Sequence, residues 1–388
     1  MKIVLVGASG YGESYVGVLE DNNRLDALHA VVDPFPERLS HIEVLKDVPV
    51  YPSLEAFFEK DTADLVVISS PITFHEEHTV TALKNGAHVL CEKPMCATIQ
   101  QARNMAQASK KYGKKLGIGF QQSFSTPNRT LKQDILDGKL GKPICLKAAC
   151  YAPRDDEYYD PNGWKGRAKD KAGRWILDAV ATNAMAHSLH NIFFLLGSEM
   201  NASMLPEYVE GSVYKARDIE TFDTIFLRGE FAGGCRFEYI ASHVCEKRST
   251  PRFSYKFANA VVEPDEDGVA VCVFNDGKRV SYGPDTSEEK LFSMMEAVEK
   301  DLPSRCTAEM ASAHILVCNL VLDNMKVKEF PKEVCKREGE FIIVDSLDEL
   351  MKRALSEEKL PTELGVTWAA GETKVKTAGY EEFTGVLL

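Results

Sequence analysis

The first third of the chain alternates short apolar runs with longer segments that mix polar and apolar residues. The runs lie at residues 2–6, 27–32, 65–68, 87–90 and 115–119. Short runs without strict alternation are typical of parallel strands that are buried on both faces. The mixed segments between them have the length and composition of helices. The pattern therefore predicts a parallel α/β domain over residues 1–120.

Beyond residue 143 the apolar pattern changes to longer, alternating segments. These segments lie at residues 144–151, 222–228, 234–241, 253–262 and 269–274. Alternation predicts half-buried strands, and the short Gly/Asn/Asp turns between most of them favour antiparallel pairing. Further helices are predicted at residues 288–300, 307–327 and 347–355. We therefore expect a second, α+β domain over residues 121–388, with a large, open, mostly antiparallel sheet and helices on one face.

Composition excludes several classes of protein. A chain of 388 residues suits two domains, and a net charge of −12 argues against a nucleic-acid partner. No apolar run approaches the roughly 20 residues that span a bilayer. The chain enters a strand at once without a signal-peptide pattern, so a cytoplasmic protein is expected. Ten cysteines without C-x-x-C pairs or a His/Cys cluster indicate neither a metal site nor a disulfide framework.

A glycine-rich turn follows the first predicted strand. It reads G-A-S-G-Y-G over residues 7–12, precedes a helical pattern, and is followed by Asp33 at the end of the second strand. Such a turn lets the backbone approach a pyrophosphate, and the acid, about 20 residues further on, binds the adenosine ribose. The carboxylate favours NAD over NADP, although Arg38 weakens this preference. The predicted cofactor contacts are Gly7, Ser9, Gly10, Tyr11, Gly12, Asp33 and Arg38.

Ser9 occupies the position where the dinucleotide-binding fingerprint has its second glycine. Its side chain either crowds the pyrophosphate or donates a hydrogen bond to a phosphate oxygen. The alternative to cofactor binding is an ordinary glycine turn in a parallel α/β domain.

Later strand ends supply further candidates, because ligands bind at the carboxyl ends of parallel strands. The loop after residues 65–68 is expected beneath the nicotinamide ribose, although His75 is equally suited to bracing that loop. Lys93, fixed between an acid and a proline, is a plausible proton-handling group. The cofactor contacts predicted here are Ser69, Ser70, Pro71, His75, Glu92, Lys93 and Gln121.

A polar stripe crosses an otherwise apolar helical segment at residues 173–191. Asn183, His187 and either His190 or Asn191 fall at helical spacing and need polar partners, such as a substrate rich in hydroxyls. The alternative is a buried helix whose histidines bond nearby backbone. Asp178 either supplies a carboxylate to this stripe or caps the helix. The predicted substrate contacts are Lys93, Tyr151, Trp164, Arg167, Asp178, Asn183, His187, His190 and His243.

Three motifs in these segments together resemble the glucose-fructose oxidoreductase/inositol dehydrogenase (Gfo/Idh/MocA) family of NAD(P)-dependent enzymes. They are the S-P-x-x-x-H loop at residues 70–75, H-V-L-C-E-K-P at residues 88–94, and W-x-L-D-x-x-x-x-N-x-x-x-H-x-x-H-N at residues 175–191. The resemblance covers residues 1 to about 196 and is only architectural beyond. Two departures stand out: Asn183 replaces an acid, and Gln122 and Ser123 lie where an arginine is typical.

The resemblance implies an NAD-dependent dehydrogenase that oxidises a secondary alcohol of a sugar, cyclitol or glycoside. Lys93, His187 and Asn183 would form its catalytic group, and family members form homodimers or homotetramers through an exposed sheet face. Which of Lys93 and His187 is the base stays open. One alternative is an NAD-retaining, redox-assisted glycoside hydrolase or lyase. The other is a non-catalytic NAD-binding sensor, against which the intact Lys93 and His187 argue.

Overall fold

A computed structural model describes residues 1–249, 252–284 and 288–387 of the chain. It divides into two compact units. The first contains residues 1–125 and a returning segment that ends at Ser312, and the second contains the rest. The helix Glu289–Glu299 belongs to the first unit, although the sequence pattern assigns it to the second domain. No helix in the described ranges has both the length and the apolar composition needed to cross a bilayer.

The first unit is built on a six-stranded parallel sheet. Its strands are β1 (Ile3–Val6), β2 (Leu28–Val32), β3 (Val50–Tyr51), β4 (Leu65–Ile68), β5 (His88–Cys91) and β6 (Leu116–Ile118). They are arranged in the order β3-β2-β1-β4-β5-β6, and every pair is parallel. Its helices are Glu13–Asp21, Leu54–Phe58, His75–Lys84, Ile99–Tyr112, Gln121–Phe124 and Glu289–Glu299. This is the doubly wound dinucleotide-binding arrangement, which confirms the prediction.

The strand order reverses between β1 and β4, so their carboxyl ends lie side by side. The Ser69 amide donates a hydrogen bond of 2.8 Å to the Val6 carbonyl at this point. Both strands are fully buried, which explains why their sequences are continuous apolar runs. The glycine-rich turn and the loop after β4 are therefore brought together by the sheet itself.

The second unit is built on a ten-stranded, mostly antiparallel sheet, as predicted. Its strands are β7 (Pro143–Tyr151), β8 (Tyr208–Lys215), β9 (Thr224–Glu230), β10 (Arg236–Ser242), β11 (Arg252–Phe257), β12 (Ala260–Pro264), β13 (Ala270–Phe274), β14 (Arg279–Ser281), β15 (Val327–Glu329) and β18 (Thr373–Lys376). Strands β16 (Cys335–Glu338) and β17 (Phe341–Val344) form a separate hairpin. The order is β14-β13-β12-β11-β7-β10-β9-β8-β15, and β18 also pairs with β8. Parallel pairing occurs at β7–β10 and β8–β15.

Two predictions about this sheet were wrong. The segment 253–262 is two strands rather than one, since β11 and β12 are joined by a turn at Ala258 and Asn259. The sheet also carries helices on both faces. Phe193 of the helix Ala186–Leu195 contacts Phe237 at 5.7 Å between ring centroids, whereas Ile240 lies in a cluster with Met351 of the helix Leu347–Glu357.

Residues 237 and 240 lie three apart on β10, and side chains alternate between faces along a strand, so the two helices cover opposite faces. The C-terminal helix therefore occupies part of the face that the sequence analysis left open for oligomer contacts. The homodimer or homotetramer stays a prediction. The remaining helices of the second unit are Thr126–Leu136 and the C-terminal part of Ala308–Asn324.

Candidate active site

The glycine-rich turn is held in place by close backbone packing. A Cβ at Gly12 would lie 2.0 Å from the Gly7 carbonyl oxygen, and one at Gly7 would lie 2.9 Å from the Ser70 amide nitrogen. Gly10 adopts φ +64° and faces open space. Its amide donates a hydrogen bond of 3.2 Å to the Glu13 carboxylate. This backbone N–H thus pairs with a carboxylate oxygen, and a pyrophosphate bound at the turn would take the place of the Glu13 carboxylate.

Asp33 follows β2 and is 5% exposed. Its Oδ1 accepts a 2.9 Å hydrogen bond from the Phe35 amide, which fixes the carboxylate at the strand end. Arg38 is exposed, and its guanidinium carbon lies 4.3 Å from the Phe35 ring centroid. Ser9 is half-buried, and Tyr11 is 50% exposed. These residues fit a dinucleotide with its ribose at Asp33.

His75 lies beneath the loop that follows β4. It is 2% exposed, and its Nδ1 and Nε2 lie 2.9 Å from the Pro94 carbonyl oxygen and 2.8 Å from the Ser70 carbonyl oxygen. Burial lowers the pKa of the imidazole, so it is neutral near pH 7. This placement favours a bracing role for His75, which leaves Ser69 and Ser70, both half-buried, as the better candidates for cofactor contact.

Glu92 joins several groups at the end of β5. Its Oε1 accepts hydrogen bonds from the Tyr15 hydroxyl at 2.5 Å and from the Lys290 ammonium, and its Oε2 accepts one of 3.0 Å from the Lys93 amide. A Cβ at Gly119 would lie 2.9 Å from either carboxylate oxygen. The carboxylate is therefore enclosed by donors and by a glycine that leaves room for it.

The Glu92–Lys290 pair is a buried ion pair. Burial disfavours the charged form of Glu92, yet the Lys290 ammonium holds the pKa of the carboxyl below its ordinary value. Burial also disfavours protonated Lys290, and Glu92 nevertheless raises the lysine's pKa. Both groups are thus charged. Lys290 also donates a 2.8 Å hydrogen bond to the Tyr11 hydroxyl, which connects the pair to the glycine-rich turn.

Lys290 was not predicted as a site residue, although the sequence contains a signal for it. Lys290 lies four and seven residues before Met294 and Ala297, and all three are buried on the helix Glu289–Glu299. A lysine on the apolar face of a helix requires a buried partner. The sequence does not indicate which acid that partner is.

Lys93 and Gln121 complete the predicted cofactor side. Lys93 is half-buried and is followed by a cis peptide bond to Pro94. Gln121 is half-buried and begins the helix Gln121–Phe124, just after β6. Both lie at carboxyl ends of strands, as predicted.

The predicted polar stripe in the second unit is not one continuous α-helix. Residues Val180–Ala184 form a π-helical turn, and the α-helix begins only at Ala186. Asn183 is buried in that turn, and its Nδ2 donates a 2.7 Å hydrogen bond to Asp178 Oδ1. Asp178 Oδ2 accepts a second, of 2.7 Å, from the Gly166 amide. Asp178 therefore supplies a carboxylate to Asn183 rather than capping the helix.

His187 and His190 differ in exposure. His187 is half-buried in the first turn of the helix Ala186–Leu195, whereas His190 is fully buried and stacked on Phe194. Burial, together with nearby His314, holds the pKa of His190 well below its ordinary value. His187 is accordingly the better candidate for contact with substrate.

Tyr151 packs away from this helix. It is 4% exposed and lies in the cluster with Met351, on the opposite face of the sheet from the helix that carries His187. Its neighbour Cys150 faces that helix, with Sγ 3.3 Å from Ser188 Oγ. The position of Tyr151 argues against the predicted substrate contact.

Trp164 and Arg167 both lie in the segment after β7, but their side chains have different surroundings. The Lys165 ammonium lies 3.8 Å from the Trp164 ring centroid, so these two side chains form one surface. Arg167 donates hydrogen bonds to Glu220 and to the Pro161 carbonyl, which anchors the loop.

His243 is 1% exposed and sits at the end of β10. Its Nδ1 lies 2.5 Å from the Tyr159 hydroxyl. Burial, with additional repulsion from Arg154 and Lys165, holds the pKa of His243 well below its ordinary value, so the ring is neutral. Within the described part of the chain, no group of three or more His, Cys, Asp or Glu side chains is placed to hold a metal.

Comparison with known proteins now identifies the class. Residues 1–120 match the family model described as "Oxidoreductase family, NAD-binding Rossmann fold", the Gfo/Idh/MocA family. D-glucoside 3-dehydrogenase of Escherichia coli is 32% identical over 263 residues, which cover 62% of this chain and 73% of that protein. The chain belongs to this family of oxidoreductases. Its first unit is the family's NAD-binding domain.

Other relatives agree with this assignment. Inositol 2-dehydrogenase of Pseudomonas fluorescens is 28% identical over 51% of this chain and 55% of its own length. Among solved structures, UDP-N-acetylglucosamine 3-dehydrogenase of Acidithiobacillus ferrooxidans aligns with a TM-score of 0.67 at 17% identity, covering 83% of this chain and 96% of that one. The Bordetella pertussis WlbA dehydrogenase, solved with NADH and UDP-GlcNAcA, aligns with a TM-score of 0.67 at 18% identity, over 82% and 94%. These structural likenesses confirm the fold.

Proposed function

We propose that the protein is a dehydrogenase that uses NAD to oxidise a secondary alcohol of a sugar, cyclitol or glycoside. The observation that carries this proposal is the buried group around Glu92. It joins the Lys93 backbone to Tyr11 of the glycine-rich turn through the Lys290 ammonium. A half-buried lysine that is linked in this way to a nucleotide-binding turn suits proton chemistry. The activities named for the glucoside and inositol dehydrogenases support the substrate class.

Asp33 supports NAD, rather than NADP, as the cofactor. Its buried carboxylate would accept hydrogen bonds from the ribose hydroxyls, whereas a 2′-phosphate there would meet a like charge. Gly7, Gly10 and Gly12 would hold the pyrophosphate, and Ser69 and Ser70 would contact the nicotinamide ribose.

Bound NAD⁺ supplies the hydride acceptor. The chain's own task is to remove the hydroxyl proton as the hydride leaves the same carbon. In the proposal His187 accepts that proton, since imidazole titrates near neutral pH, and the Lys93 ammonium donates a hydrogen bond to the developing alkoxide. The opposite division, with Lys93 as the base, also balances the proton, and the variants below separate the two.

Asp178 would support His187 through Asn183. The 2.7 Å hydrogen bond to Asp178 fixes the orientation of the Asn183 amide, which lies in the π-helical turn just before the helix that carries His187. The carboxylate that the family motif carries at position 183 is thus replaced by an amide with a carboxylate behind it. The negative charge would then lie on Asp178, one hydrogen bond further from His187 than an acid at position 183.

The test is a panel of sugars, cyclitols and aryl glycosides offered with NAD⁺ to the wild-type protein and to Lys93→Met, His187→Ala and Lys84→Met. Lys84, exposed at the end of the helix His75–Lys84, is the matched control. We expect NADH with at least one polyol. Loss of a general base or acid lowers kcat by about 10²- to 10⁴-fold, so both site variants should show this while NAD binding persists.

The possible results distinguish the candidate functions. NADH formation that needs both Lys93 and His187 supports the proposal. The variant that loses the pH dependence of kcat identifies the base. Release of aglycone without accumulation of NADH would instead assign redox-assisted glycoside cleavage. NAD binding without turnover of any polyol would contradict catalysis, and turnover that neither substitution lowers would contradict the roles given to Lys93 and His187.

A further inference from the structure

Two cations of the second unit share one aromatic ring. The Arg154 guanidinium carbon lies 4.6 Å and the Lys165 ammonium 4.9 Å from the Tyr158 ring centroid, and Lys165 also lies 3.8 Å from that of Trp164. His243 packs edge-on against Tyr158 at 5.5 Å. This set of Arg154, Tyr158, Trp164, Lys165 and His243 is called the cationic cluster below.

Neither cation of the cluster has an acidic partner among the described residues. Other arginines nearby do: Arg167 pairs with Glu220, and Arg217 pairs with Asp156. The acid that acts on Lys165 is Asp178, but its two oxygens already accept hydrogen bonds from Gly166 and Asn183. The cluster thus holds two cations and one nearby carboxylate, which leaves an excess of positive charge in a chain whose net charge is −12.

Part of this cluster lacks polar partners in the protein interior. Arg154 and Lys165 are only partly exposed, and Arg154 Nε is buried without a hydrogen-bond partner in the described structure. Burial lowers the pKa of Lys165, and nearby Arg154 adds to this effect. His243 Nε2 is likewise buried without a partner in the described ranges, on a side chain that is 1% exposed. An anion beside the Tyr158 ring would be attracted by both cations.

Resting on the proposed dehydrogenase function, we propose that Arg154 and Lys165 bind an anionic group on the substrate, a carboxylate or a phosphate ester. The cluster is connected to the candidate catalytic residues, because Gly166, next to Lys165, donates to the same carboxylate as Asn183. An acidic sugar or cyclitol derivative would have its hydroxyl near His187 and its charged group at Lys165. The acidic form of a substrate would then be preferred to the neutral form of the same sugar.

The test uses matched substrates: a methyl glucoside, the corresponding methyl glucuronide and the glucoside 6-phosphate. Turnover with NAD⁺ and equilibrium binding to the NAD-loaded protein are both measured, for wild type, Arg154→Met, Lys165→Met and Lys169→Met. Lys169 is the control, since it also lies over an aromatic ring (3.9 Å from the Trp175 centroid) but is exposed.

We expect an anionic compound to bind more tightly than the methyl glucoside, with an affinity that falls as salt rises. Because a charge-assisted hydrogen bond is lost, Lys165→Met should raise KM for the anionic substrate by about ten- to a hundredfold. The neutral substrate and Lys169→Met should be unaffected. Comparison of the methyl glucuronide with the glucoside 6-phosphate shows which anion is bound.

Equal affinity for neutral and anionic compounds would overturn the inference, as would an equal effect of Lys165→Met on both. The binding arm separates this inference from the proposed function. If no compound yields NADH but the anionic ones bind through Lys165, the dehydrogenase proposal fails and the anion site stands. If NADH forms equally well from neutral and anionic sugars, the dehydrogenase stands and the anion site fails.

Discussion

Replacing Lys290 with methionine removes the ammonium that neutralises Glu92 and leaves a carboxylate in the protein interior. The two side chains are 4% and 7% exposed, so water cannot take the place of the lost partner. Removal of one member of a buried ion pair destabilises a protein by about 3–5 kcal/mol. We expect a loss of that size in the free energy of unfolding of Lys290→Met at pH 8.

The loss should depend on pH with a defined sign. In the wild type the folded-state pKa of Glu92 is lowered, so its contribution is present above the unfolded pKa and disappears as pH falls through the folded pKa. Without Lys290, burial acts unopposed and raises that pKa. The free energy of unfolding of the variant then falls below that of the wild type once pH exceeds the unfolded pKa of Glu92. The difference is largest above the raised folded pKa, and it shrinks towards pH 4 as Glu92 is protonated.

Chemical denaturation between pH 4 and pH 8 tests this, with the double variant Lys290→Met/Glu92→Gln completing a double-mutant cycle. The double variant should regain most of the stability at pH 8, because no buried charge is left. Lys110→Met, which breaks the exposed pair with Glu309, is the control and should change nothing measurable. A Lys290→Met protein as stable as the wild type at pH 8, or a deficit that is the same at pH 4 and pH 8, would refute the reasoning.

Three further predictions concern single side chains. Asp33→Ser should raise the NADP/NAD ratio of kcat/KM at least about tenfold, since the charge facing the 2′-phosphate is removed; an unchanged ratio would show that Asp33 does not face the ribose. Asp178→Asn should move the acidic limb of the kcat/KM profile to lower pH, because in the proposal the Asp178 carboxylate stabilises the imidazolium of His187 through Asn183; an unmoved limb would show that Asp178 does not act on the proton step. Burial raises the pKa of Glu238 to about 7, so ionised Glu238 destabilises the fold as pH rises from the unfolded pKa to the folded one. Glu238→Gln should therefore stabilise the protein above pH 7, by up to about 3 kcal/mol in denaturant unfolding, with no gain at pH 4; a gain that is equal at both pH values would contradict that pKa.

The nucleotide-binding half was predictable because its signals are local. Buried parallel strands produce continuous apolar runs, and the predicted cofactor residues lie in the segments that follow such runs. The turn after β1, Asp33 after β2 and Lys93 after β5 could all be placed without knowledge of the rest of the chain. The first sheet therefore matches the prediction in class and in five of its six strands, whereas the two-residue edge strand β3 (Val50–Tyr51) was not predicted.

The rest depended on contacts between distant residues. Lys290 and Glu92 are 198 positions apart in sequence, and the periodicity of a helix does not identify a partner at that distance. The π-helical turn at Val180–Ala184 breaks a stripe whose helical spacing looked continuous. Tyr151 has the alternation of a strand residue, but alternation does not tell which sheet face meets the helix that carries His187. Tyr151 lies on the face that the helix Leu347–Glu357 covers. That packing joins residues about 200 positions apart in sequence, so the local pattern does not reveal it.

Hydride transfer from a substrate carbon to the nicotinamide can be measured directly. The protein is incubated with NAD⁺ and polyols deuterated at their ring carbinol carbons, and the nicotinamide is analysed by mass spectrometry. We predict transfer of one deuterium from one carbon, slowed by about 10²- to 10⁴-fold in Lys93→Met and unchanged in Lys84→Met. A protein that binds NAD and a polyol together, yet never transfers deuterium to the ring, would contradict the account.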